Sequence, residues 1–123
     1  MNKTAIVVVL VAVVVAGYFV ASRYSSPAQG VSEPQTKTFN LVVKGEKLVS
    51  GPSVLNVNQN DTVTINVVDD ADEEVHLHGY NLHMDLKNGV PGSLKFVASS
   101  SGRFPYELEL TSTEIGELDV QPQ

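Results

Sequence analysis

The sequence predicts an all-β domain, a two-sheet β-sandwich of seven to eight strands, behind one N-terminal transmembrane helix. Three observations lead there. From about residue 37 onward, apolar and polar residues alternate in short runs, the period-two signature of half-buried strands. Clusters of Gly, Pro, Asn and Asp punctuate those runs as turns. Ahead of them, Met1 to Ala21 is almost wholly apolar, so the 42% hydrophobic content of the 123 residues is unevenly spread. The length allows a single domain.

The segment Ala5–Ala21 holds 17 residues without a charge. As a helix it spans roughly 26 Å at about 1.5 Å per residue, close to the ~30 Å hydrocarbon core of a bilayer. It exceeds the apolar stretch of about 7–15 residues in a cleavable signal peptide, and the sites after Ser22 and Ala28 are mediocre for cleavage. Tyr18 near the outer end, with Arg23 and Tyr24 beyond it, suits the membrane interface. An uncleaved anchor is the expectation and a cleaved signal the alternative. The anchor reading gives a single-pass protein of the inner (cytoplasmic) membrane, its domain facing the periplasm or exterior. Residues 1–22 are then the anchor or signal, 23–36 a Pro/Ser/Gly linker, and 37–121 the folded domain.

The strands follow in order. Phe39, Leu41 and Val43 alternate before a turn at Gly45, and Gly51-Pro52 turns the chain ahead of Val54–Val57. Asn58–Asp61 is a polar turn, after which Val63, Ile65 and Val67 share one face. Asp69–Glu74 reads as a solvated acidic turn, with the wrong spacing for a calcium loop. A long strand, Glu74–Lys87, comes next, then the turn Asn88–Gly92, the strand Ser93–Ala98 and the turn Ser99–Gly102. Arg103–Leu110 places Phe104, Tyr106, Leu108 and Leu110 inward, and Glu117–Val120 closes the domain.

The strand Glu74–Lys87 carries all three histidines. Its apolar residues are odd-numbered before Gly79 (Val75, Leu77) and even-numbered after it (Tyr80, Leu82, Met84, Leu86). A β-bulge at Gly79 would restore the phase. The outward face then collects Glu74, His76, His78, Asn81, His83 and Asp85, and Met84 packs in the core.

Composition excludes several functions. All 14 acidic residues but only six of the eight basic ones follow Arg23, a net charge of −8 for that part, which repels nucleic acid. With no cysteine there is no disulfide, thiolate nucleophile, zinc ribbon or iron–sulfur cluster. No Gly-x-Ser-x-Gly elbow or paired catalytic carboxylates are visible, so no enzyme is expected.

The turn Asn60-Asp61-Thr62-Val63, the string His78-Gly79-Tyr80, Pro91-Gly92, and the ending Ser101–Tyr106 with Gly116–Val120 resemble a bacterial cupredoxin. The resemblance covers about residues 37–121. It is nearest to the small cupredoxin-like modules of periplasmic proteins, including those attached to ferrous-iron uptake proteins, and it implies a Greek-key sandwich. It also implies that a histidine ending the middle strand ligates copper, and His78 falls there. The remaining family ligands do not carry over. Leu108 stands near the expected cysteine, Ile115 near the expected methionine, and no histidine follows His83. A blue-copper site needs thiolate, so electron transfer by such a site is not expected.

What remains is His76-Leu77-His78-Gly79, similar to the opening of one copper motif of multicopper oxidases but without its partner motifs. Two imidazoles at i and i+2 on a strand share a face, about 6.6–7 Å apart at the backbone, and can converge on one ion. By the same rise His83 lies on the order of 20 Å from His76, outside a shared coordination shell. The family's last long strand lies beside this one, which implies Glu107 or Glu109 as completing ligands. His76, His78, Glu107 and Glu109 are therefore the candidate metal site, and copper, as Cu(II), or a similar divalent ion is the candidate cofactor. Alternatively, these residues are cross-strand pairs worth about 0.2–1 kcal/mol each. The chain would then be a metal-free interaction or scaffold domain with a periplasmic protein partner.

Overall fold

Nine strands form two sheets in the computed structural model, which describes residues 30–123. They are β1 (Thr36–Lys44), β2 (Lys47–Ser50), β3 (Val54–Asn58), β4 (Thr62–Asp69), β5 (Glu73–Leu77), β6 (Leu82–Leu86), β7 (Gly92–Val97), β8 (Gly102–Leu108) and β9 (Thr113–Gln121). One sheet has the order β2-β1-β4-β7 and the other β3-β9-β8-β5-β6. Parallel pairings of β1 with β4 and of β3 with β9 sit among antiparallel neighbours. The predicted helix Ala5–Ala21 lies outside the described residues. Among the described residues, no helix is long and apolar enough to cross a membrane.

The core is the space between the sheets. Strict alternation along β4 sends Val63, Ile65 and Val67 inward beside Leu41 and Val43 of β1. They share one core with Leu55, Val57, Val75, Leu77, Tyr106, Leu108, Leu118 and Val120 of the other sheet. Full burial of each such Val or Leu side chain contributes roughly 1.5–3 kcal/mol.

Nine strands replace the seven to eight expected, because Lys47–Ser50 between the turns at Gly45 and Gly51 is itself a strand and the long histidine strand is two. The structure corrects the sequence reading at four places besides this count. Glu74–Lys87 is not one bulged strand but the hairpin β5–β6. Gly79 (φ +78°) and Asn81 (φ +52°) occupy left-handed conformations in the turn between them. A turn shifts the side-chain phase as a bulge would, which is why the apolar pattern fitted both. The acidic run after β4 is not uniformly solvated, since Asp69 and Glu73 are buried. Glu73 accepts the N–H groups of Leu110 (2.8 Å) and Glu74 (3.0 Å), pinning the β8–β9 turn to the start of β5. Burial pushes the Asp69 carboxyl above the usual carboxylate range. Asp61 in the predicted polar turn is also fully buried, held by the N–H groups of Gln35 (2.7 Å) and Asn58 (2.9 Å). Leu110, expected inward, is 69% exposed because β8 ends at Leu108 and the chain turns over Glu109–Ser112.

Candidate metal centre

Three strands at one end of the larger sheet, β6, β5 and β8, build the candidate site on their outward face. Alternation along β5 buries Val75 and Leu77, so Glu74 and His76 point out, and His78 opens the turn. Across β6, His83 stands directly opposite His76, and Asp85 opposite Glu74. Across β8, Glu107 is the register partner of His76, and the Glu109 N–H donates to the Glu74 carbonyl at 2.7 Å.

The side chains pair diagonally. His76 Nδ1 lies 2.9 Å from Glu109 Oε2, His78 Nε2 lies 2.8 Å from Glu107 Oε1, and His83 Nδ1 lies 2.5 Å from Glu74 Oε1. Each imidazole thus has its own carboxylate. The rings also pack against one another, His76 stacked on His83 and tilted against His78. His76 is central, 4.2 Å from the His78 centroid at 36° and 4.1 Å from the His83 centroid at 13°. His76 is the most enclosed of the three, with its side chain 15% exposed.

Of the four residues expected to hold metal, the fold brings three together. His76, His78 and Glu107 each offer one ligand atom, all within 4.8 Å of one another. Glu109 is outside that cluster, on the Nδ1 side of His76. An Nδ1–H donated to Glu109 leaves the Nε2 lone pair of His76 free, the usual outer-shell arrangement for a ligating histidine. An ion bound at His78 Nε2 and Glu107 Oε1 would replace the proton these atoms share.

The sequence reading misplaced His83. Folding β5–β6 into a hairpin carries it from an expected ~20 Å separation to direct stacking on His76. The available signal was His78-Gly79-Tyr80-Asn81, which holds two residues suited to positive φ between runs of opposite apolar phase. Gly79 is needed for a second reason, because a Cβ there would run into the Phe104 ring. Phe104 in turn meets Tyr80 edge-on at 4.8 Å, so an aromatic cluster braces the turn beside His78.

The donor set is two imidazoles and a carboxylate, without sulfur. Leu108 and Ile115, near the positions where the resemblance places cysteine and methionine, are buried apolar residues. Met84 is buried in the core, its sulfur facing Gly92. Nitrogen and oxygen donors of this kind suit Cu(II) and Zn(II), and nothing here can make a copper–thiolate bond.

Comparison with solved structures settles the architecture. A copper-binding protein solved in its apo form matches with a TM-score of 0.60 at 13% identity, over 73% of this chain and 92% of that one. A purple cupredoxin from Nitrosopumilus maritimus matches with a TM-score of 0.52 at 18% identity, over 68% and 98%. The fold is cupredoxin-like. A chain of a haem-copper terminal oxidase dimer also matches, with a TM-score of 0.59 at 12% identity over 98% of this chain and all of that one. No family model and no curated protein matches. This cupredoxin-like domain thus keeps the sandwich and lacks the type 1 cysteine.

Proposed function

We propose that the chain is a membrane-anchored, extracytoplasmic cupredoxin-like protein that binds Cu(II) or a related divalent ion and is neither an enzyme nor a blue-copper electron carrier. The cluster of His76, His78 and Glu107 carries this reading. His76 and His78 supply neutral nitrogen donors, Glu107 supplies charge, and Glu109 and His83 orient His76. The apolar segment Ala5–Ala21 supports the anchor, and resistance to carbonate extraction is its test. A second reading, a metal-free interaction domain, draws on the carboxylate partner that each imidazole has and on the likeness to a chain of an assembled oxidase.

Thermal melting of the wild type and His78→Ala, with and without Cu(II), at about pH 7.5 and about pH 5.5 separates the two, because a ligating imidazole must be neutral. On the metal reading, Cu(II) at a hundredfold excess over Kd stabilises the wild type by about 2.7 kcal/mol, a rise in Tm of about 10 °C or more at the higher pH. The variant shows no such rise. Identical behaviour of both proteins in all four conditions would reject the metal site in favour of the interaction domain.

A further inference from the structure

We infer that the site is redox-gated, taking copper as Cu(II) and releasing it as Cu(I); the inference rests on the metal-binding reading above. Two observations carry it. The first is the donor set. Cu(I) favours thiolate and thioether ligands, whereas His76, His78 and Glu107 offer only nitrogen and oxygen. Cysteine is absent, Met84 is buried in the core, and Met1 stands ahead of the apolar N-terminal segment. The neighbouring side chains are His83, Glu74, Asp85 and Glu109, which add no soft donor.

The second observation is ring geometry. Two imidazoles can hold Cu(I) without sulfur if they bind it end to end in a line. With a metal–nitrogen bond of about 2 Å on each side, linear binding sets the ring centres about 6 Å apart. The His76 and His78 centroids are 4.2 Å apart and tilted by 36°. His76 is also stacked on His83 and tied at Nδ1 to Glu109, so it cannot swing away without breaking both contacts. The pair is built for bent chelation with a carboxylate alongside, a geometry open to Cu(II) and Zn(II).

The release step balances with one external reagent. An ene-diol donor such as ascorbate passes one electron to copper and loses a proton to solvent. Cu(II) becomes Cu(I), its bonds to the two imidazole nitrogens and to the Glu107 oxygen break, and the ion leaves for a softer ligand set. The His78–Glu107 hydrogen bond then closes again, the imidazole proton having moved between ring nitrogens through solvent.

The test loads the full chain with Cu(II) in one arm and Zn(II) in the other, then adds ascorbate anaerobically with bathocuproine disulfonate as a Cu(I) trap. A parallel arm titrates Cu(I) directly. The expected result is transfer of copper to the trap, retention of zinc, and a Kd for Cu(I) on the order of a hundredfold weaker than for Cu(II). Cu(I) held as tightly as Cu(II) would overturn the inference while leaving the metal site standing. Loss of zinc alongside copper would overturn it too, since release would then not depend on reduction. Failure to bind Cu(II) at the outset would overturn the proposed function and this inference with it.

Discussion

Replacing His83 tests whether it ligates the ion or only holds His76 in place. His83 stacks on His76 at 4.1 Å and 13°, nearly parallel. Lone pairs of imidazole lie in the ring plane, so two parallel stacked rings cannot both aim at one ion without rotation. His83 is therefore a positioning residue in this geometry. An aromatic pair of this kind is worth about 0.5–1.5 kcal/mol beyond its buried area. Removing it in His83→Ala frees the His76 ring and should weaken Cu(II) binding by about two- to tenfold, since 1.4 kcal/mol is a factor of ten. His83→Phe restores a stacking face without a ligand atom and should recover most of that loss. The assay is competitive Cu(II) titration of the three proteins against a chelator of known affinity. A loss beyond about a hundredfold in both variants would exceed an outer-shell contribution and mark His83 as a ligand. An unchanged Kd in His83→Ala would show that the stacked ring does nothing for the site.

Four further outcomes follow from the structure. Glu107→Gln keeps an acceptor for the His78 N–H but removes the charge, so stability should stay within about 0.5 kcal/mol while Cu(II) binding weakens at least tenfold; unchanged titration would remove Glu107 from the site. Tyr106 is buried with a hydroxyl that bonds no protein group, so Tyr106→Phe should stabilise the fold by about 1 kcal/mol in urea denaturation, and a destabilisation of that size would reveal a missed partner. Burial also pushes the Tyr106 phenol up to about 12, so wild-type stability is intact below the ordinary value of 10 and falls as pH rises toward 12, a decline that Tyr106→Phe should lessen. Gly79→Ala combines a positive φ with a clash against Phe104, and should destabilise the fold by about 2 kcal/mol and weaken metal binding through displacement of His78; a silent substitution would refute the tight turn.

The sandwich was legible because β1, β4 and β8 alternate cleanly and Gly45, Gly51 and Gly89 mark real turns. The pairing of β8 with β5, which delivers Glu107 and Glu109 to the histidines, came from resemblance to a known topology. Local pattern carries no information about which strands become neighbours. The hairpin at residues 78–81 was missed for a physical reason. A four-residue turn and a one-residue bulge produce the same change of apolar phase, so periodicity could not choose between them. That single ambiguity moved His83 from the far end of a strand to the centre of the site. The burial of Asp61 and Glu73 was unreadable because one backbone donor of each, Gln35 and Leu110, comes from a distant part of the chain, beside the local donors Asn58 and Glu74.

On the metal-binding reading, the site can load and unload an ion without disturbing the fold. The core is complete without it, since Val63, Leu77, Leu118 and Tyr106 are buried between the sheets, away from the outward imidazoles. Structural zinc modules differ, because their metal-binding energy is their folding energy. Here the ion competes with hydrogen bonds the side chains already make. The His78–Glu107 bond has a carboxylate acceptor, but both groups are partly exposed and water screens it, so its cost is at the low end, about 1 kcal/mol, or roughly fivefold in affinity. Against this stand the fixed register of β5 and β8, which holds the ligands together before binding, and the negative charge of the domain, which draws cations toward it. A rigid sheet with weakly committed ligands favours exchange over permanent retention. That is what the proposed release of copper on reduction requires.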